Sequence, residues 1–121
     1  MKLKQTLCAL ALATLFASSA VMAEVMSVAD VHAKRIELSG KQVTVTGKVV
    51  KVNNGIMRRN FVHVQDGTGT GDTGRVIVTS QQTANLGDQV SITGKLTLDT
   101  DFTMGYVYPT LLVDAVITPV N

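Results

Sequence analysis

The chain has 121 residues, enough for one domain, and carries eleven Lys and Arg against nine Asp and Glu, with a single cysteine, Cys8. All nine acids lie beyond residue 23 while Lys2 and Lys4 lie before it, so residues 24–121 are formally neutral. The net charge of +2 therefore gives no argument for nucleic acid or an anionic membrane surface, and beyond Cys8 there is no thiol for disulfide, metal or nucleophile chemistry.

Residues 1–23 read as a secretory signal peptide. Lys2 and Lys4 form the basic start, an apolar stretch follows, and Val21 and Ala23 stand at the minus-three and minus-one positions of a small-residue cleavage site. The uninterrupted apolar run of about ten residues is short of the roughly 20 that span a bilayer. A lipoprotein would need a cysteine just after that run, and Cys8 sits near its start. The expectation is an exported chain without a membrane span after cleavage, periplasmic if the source is a Gram-negative bacterium. A mature chain without cysteine suits such an oxidising compartment.

In residues 24–40, Ser27 followed by Asp30 resembles a capping box, and Val28, Ala29, Val31, Ala33, Ile36 and Leu38 form an apolar stripe that stops at Ser39-Gly40. This predicts a short N-terminal helix. From Lys41 the pattern becomes alternating, and residues 41–121 divide into five predicted strands: 42–52, 60–65, 75–79, 89–98 and 105–117. Gly47 interrupts the first, where a bulge or bend would let one strand serve two sides of a curved sheet. Asn53-Asn54-Gly55 is expected to end it. The glycine-rich stretch 69–74 precedes the third strand, and the polar connection 80–86 has room for one helical turn. The expected architecture is all-β: a five-stranded Greek-key barrel of the OB type behind a short helix, with a small open sandwich as the competing arrangement.

Five segments carry a resemblance: Gly40 through Val52, Gly55-Ile56-Met57, Asn60 through Gly69, Gly87-Asp88-Gln89-Val90, and Asp101-Phe102 with Gly105-Tyr106. Together they resemble small exported bacterial proteins with an OB-fold of the tRNA-anticodon-binding-like type, over roughly residues 28–117. Phe61 stands where those relatives often carry Trp, and the 69–74 insert looks longer here. The resemblance implies the fold and a general binding role, commonly described as nucleic-acid binding, without a particular ligand.

Charge is segregated along the chain: residues 41–65 carry five cations and no acid, while residues 66–121 sum to −4. In an OB-type barrel, Lys51, Arg58 and Arg59 flank the loop joining strands one and two, which together with the loop joining strands four and five frames the cleft. Phe61, Tyr106 and Tyr108 are then candidate stacking platforms, and His63 and Arg75 complete the expected ligand-binding set. Phe61 is equally a candidate for the core. His63 and Asp66 make only two metal ligands, short of a dedicated site, so His63 is expected to bond to a neighbouring strand or turn. The run from Asp66 to Gly71 lacks the Lys-Ser/Thr ending of a P-loop and reads as a mobile turn. Asp99 and Asp101 read as turn-forming or solvated carboxylates, and no nucleophile triad or activated lysine stands out. The expectation is a monomeric, non-catalytic binding module without cofactor or metal, taking single-stranded nucleic acid or another polyanion. The alternative is a periplasmic protein-interaction or envelope-stress accessory domain.

Overall fold

The computed structural model describes residues 23–102 and 105–120. The leader expected at 1–23 lies, but for Ala23, outside these residues. The elements are β1 (Glu24–Val25), α1 (Val28–Ala33), α2 (Arg35–Leu38), β2 (Gln42–Ile56), β3 (Arg59–Gln65), a 3-10 turn (Gly71–Gly74), β4 (Val76–Ser80), β5 (Gln89–Asp101) and β6 (Val107–Pro119).

The described residues are mostly β, and their six strands form one sheet in the order β1-β2-β3-β4-β6-β5, with a further pairing between β2 and β5. That pairing turns β2-β3-β4-β6-β5 into a barrel-like ring. β2 serves both sides. Residues from Gln42 to Lys48 pair with β5, and residues from Lys48 to Ile56 pair with β3. Gly47 stands at the handover, where a Cβ would sit 2.4 Å from the Gln65 carbonyl oxygen and 2.7 Å from Val64 Cγ1. The bend anticipated at Gly47 is thus a close backbone approach that only a residue without a side chain permits.

One cluster fills the ring. Val43, Val45 and Val49 of β2, Val62 and Val64 of β3, Val76 and Val78 of β4, and Val90, Ile92 and Leu96 of β5 meet Leu112, Ala115 and Ile117 of β6. Val28, Val31 and Leu38 from the two helices join them. Burying each such side chain contributes roughly 1.5–3 kcal/mol, which is why a chain without disulfides holds together.

Several local features differ from the sequence expectation. Residues 24–25 form a strand parallel to β2 and pair with Val43 and Thr44. The helix is broken at Lys34 into two short pieces, and the break takes Ile36 off the buried stripe, leaving it 68% exposed. β2 does not stop at Asn53 but runs to Ile56 through a register shift between Asn53 and Ile56, held by a hydrogen bond from the Gly55 N–H to Asn60 Oδ1 at 3.0 Å. The hairpin turn therefore falls on Met57 and Arg58, both left-handed at φ 51° and 66°, as tight two-residue hairpins require. The connection after β4 holds no helical turn. Side chains pin it instead: Ser80 Oγ donates to the Ala115 carbonyl at 2.6 Å, and Gln82 Oε1 accepts the Ile117 N–H at 2.9 Å.

The segment read as a mobile turn is anchored. Asp66 Oδ2 accepts the Val28 N–H and Thr68 Oγ1 accepts the Ala29 N–H, both at 2.9 Å, while Ser27 Oγ accepts from the Asp30 N–H at 3.1 Å. Three side-chain oxygens thus satisfy the orphan donors of the first turn of α1.

Candidate binding face

On β3 the alternation separates two faces. Val62 and Val64 enter the core cluster, leaving Arg59, Phe61 and His63 on the other face. Phe61 is 3% exposed yet lies outside that cluster, because other rings cover it. Its centroid is 5.7 Å from that of Phe102, at 89°, and 5.6 Å from that of Tyr108, at 31°. Phe102 and Tyr108 are 6.0 Å apart, and Tyr106 meets Tyr108 edge-on at 4.7 Å. The guanidinium carbon of Arg59 stands 4.5 Å from the centroid of Phe102, within cation–π range. The result is a ring row only in part: Phe61, Phe102 and Tyr108 touch one another, Tyr106 adjoins Tyr108, and a cation stands over Phe102, the residues being drawn from β3, the start of β6 and the β5–β6 connection.

Of the predicted site residues, Arg59, Phe61, Tyr106 and Tyr108 are brought together in or beside this row. Lys51 pairs with His63 across the β2–β3 ladder. Arg58 stands apart at the hairpin tip, where its carbonyl accepts from Gln81 Nε2 at 2.9 Å. Phe102 was missed as a site residue, although an aromatic in the loop framing an OB-type cleft was a usable signal.

His63 is 8% exposed, and its Nδ1 is buried without a hydrogen-bond partner among the described residues. The expected bond to a neighbouring strand is therefore not made at that nitrogen. Burial first, then the positive charges of Arg75 and Lys51, push the imidazole down from its ordinary 6.5 to about 4, so it is neutral near pH 7. A neutral ring is what two adjacent cations tolerate.

Arg75, Tyr106 and Tyr108 also line a cleft of about 410 Å³ together with His32, Arg35, Asp72, Thr73 and Thr110. His32 and Arg35 escaped the sequence reading because their partners lie 43 and 75 residues away. His32 Nε2 donates to the Arg75 carbonyl at 2.7 Å, and Arg35 Nε donates to Thr110 Oγ1 at 3.0 Å.

Asp66 belongs to no phosphate loop. Burial pushes its carboxyl up, but hydrogen bonds from Thr68 and Val28 outweigh that and hold it below the ordinary value. The amides of the α1 terminus nearest this turn are occupied by Asp66 and Thr68 and so are closed to an external anion. Asp99, left-handed at φ 46°, pairs with Arg35 at 3.4 Å. No group of three or more His, Cys, Asp or Glu side chains that could hold a metal occurs among the described residues.

No protein-family model matches the chain, and no curated protein matches it. Solved structures do. One is an OBody, AM3L15, bound to hen egg-white lysozyme: 18% identity and a TM-score of 0.60, covering 84% of this chain and 98% of that one. A second OBody, AM3L09, also bound to hen egg-white lysozyme, shares 21% identity at a TM-score of 0.53, covering 70% and 86%. A protein assigned as an aspartyl-tRNA synthetase from Leishmania major Friedlin shares 12% identity at a TM-score of 0.56. That match spans 86% of this chain and 22% of the synthetase chain. At these identities the likeness is one of fold, and it supports the OB-type arrangement of the barrel-like ring.

Proposed function

We propose that the chain is an exported, monomeric, non-catalytic binding module built on a five-stranded OB-type Greek-key barrel, which takes single-stranded nucleic acid or another extended polyanion across the β3 face. The observation that carries this reading is the ring cluster: Phe102 and Tyr108 cover the buried Phe61, which packs beneath them and offers no stacking surface of its own, the exposed Tyr106 adjoins Tyr108, and Arg59 stands over Phe102. Rings offer sequence-tolerant stacking surfaces and flanking cations neutralise phosphates, the two requirements of a single-strand binder. Lys51 and Arg75 add positive charge beside His63, and Arg58 stands at the hairpin tip next to Arg59 in sequence. Because the mature chain is neutral overall, affinity has to come from this local concentration of charge, and it falls steeply with salt.

The test is titration of the purified protein into labelled single-stranded DNA and RNA at low and physiological salt, with heparin as a competing polyanion. Oligonucleotide binding that outcompetes heparin, and that is lost in the Arg58→Glu/Arg59→Glu variant, supports the reading. Absence of binding at low salt retires it.

A protein partner on the same rim is the second reading. Apolar surface at the hairpin tips favours it: Met57 is 46% exposed, Val107 48% and Tyr106 55%. The OBody neighbours, which share the fold, are bound to a protein in their structures. Partner capture through these residues would survive moderate salt, whereas polyanion binding would not.

A further inference from the structure

The geometry of the cleft adjoining the ring row points to a binding site, sharing Tyr106, Tyr108 and Arg75 with that row, for a small ligand made of one flat ring and one negative charge, an aromatic carboxylate by class. The cleft holds about 410 Å³ between the two N-terminal helices, the 3-10 turn and the start of β6, within the range of small-molecule sites.

Its two cations have different duties. Arg35 is spent on structure: Nη2 donates to the Pro109 carbonyl at 2.8 Å and approaches Asp99 at 3.4 Å, while Nε donates to Thr110. The Arg75 side chain has no hydrogen bond or ion pair among the described residues, and His63, which feels its charge, is neutral near pH 7. It is the cation available for an incoming anion.

The ring requirement comes from the opposite wall. Tyr106 and Tyr108 meet edge-on at 77°, and Tyr106 is 55% exposed, so it leaves a ring surface for an aromatic guest. His32 is fixed on the cleft wall by its Nε2, which donates to the Arg75 carbonyl. Asp72 also lines the cleft and repels a second negative charge. One free guanidinium, one lining carboxylate and an aromatic wall together select a monoanion with a ring over a ligand with two charges. The site shares Tyr106, Tyr108 and Arg75 with the face proposed above for an extended chain and differs from it in the ligand it selects.

The experiment is amide-resolved NMR titration of the purified protein with benzoate and indole-3-acetate. Acetate supplies charge without a ring, benzyl alcohol a ring without charge, and phthalate a ring with two charges. The expected result is saturable shifts at Thr73, Arg75 and Thr110 for the two aromatic carboxylates, with each control at least about tenfold weaker, the scale of one charge-assisted bond or one stacked ring. Arg75→Gln and Tyr106→Leu should each weaken benzoate about tenfold while leaving the melting temperature unchanged. Arg58→Glu/Arg59→Glu should leave benzoate binding intact. The inference is overturned by absence of saturable shifts, by acetate or phthalate binding as tightly as benzoate, by no effect of Arg75→Gln, or by loss of binding in the Arg58→Glu/Arg59→Glu variant. That last outcome would merge the cleft with the ring row, whereas failure of oligonucleotide binding alone leaves the cleft untouched.

Discussion

Asp66 and Val28, 38 residues apart in sequence, are joined by a 2.9 Å hydrogen bond in which the carboxylate at the end of β3 accepts the first backbone N–H of α1. The same carboxylate accepts the Thr68 N–H at 3.0 Å and its hydroxyl at 2.5 Å, so one side chain ties the barrel, the glycine-rich turn and the N-terminal helix together.

Asp66→Ala should therefore cost about 1–2 kcal/mol, the scale of a lost helix cap. Hydrogen bonds hold the folded-state pKa below the ordinary 3.8. The stabilisation is present above that unfolded value and is lost as pH falls through the lower folded value. Chemical denaturation from pH 6 down to pH 2 should show a shallower acid loss in Asp66→Asn than in the native protein; parallel curves would contradict this.

His63 works in a different window. Its pKa is lowered to about 4 from 6.5, so between those values the unfolded chain binds more protons and stability falls as pH drops from 6.5 towards 4. Above 6.5 the ring is neutral in both states and contributes no slope. The full effect is about 2 kcal/mol, allowing for some solvent relaxation of the shift. Replacing His63 with Leu should flatten the stability profile over this interval, and a slope identical to that of the native protein would remove His63 as its source.

Two glycines should behave differently on substitution by alanine. At Gly47 the new Cβ meets a backbone carbonyl at 2.4 Å, which cannot move without opening the β2–β3 ladder, so a loss of about 3 kcal/mol is expected. At Gly87 there is open space, and only the left-handed φ of +90° is unfavourable, a cost of about 1 kcal/mol. Paired urea denaturation of the two variants measures the difference directly.

Ring truncations should separate stability from surface function. Phe61→Ala removes a ring that is 3% exposed and covered by Phe102 and Tyr108, and should cost about 3 kcal/mol. Tyr106→Ala removes a ring more than half exposed and should change stability by no more than about 0.5 kcal/mol. Thermal unfolding of both variants checks this order.

The alternation of valines with polar residues was enough to locate the main strands, because side-chain direction along a strand has a period of two. Gly47 was legible as a special position, and the structure makes it the point where β2 passes from β5 to β3, with the register shift itself between Val49 and Lys51. Strand ends were less legible. Asn53-Asn54-Gly55 has turn chemistry, yet β2 absorbs it as a bulge because the long-range register with β3 continues to Arg59. The break at Lys34 and the exposure of Ile36 follow from how the helices seat Val28, Val31 and Leu38 on the barrel, which a helical stripe alone does not encode.

For the candidate site, the residue types were legible and their grouping was not. Local sequence determined that a mainly β chain, neutral after residue 23, carries cations and aromatics near two hairpin connections. Only the tertiary structure decided that Phe102 meets Phe61 edge-on, that His32 and Arg35 meet the strands at Arg75 and Thr110, and that Asp66 caps a helix. The physical reason is range. Periodicity and turn chemistry are set by neighbours a few residues apart, whereas these contacts join residues 38 to 75 positions apart, and they form only when ring closure brings β2, β3, β4 and β6 around one core.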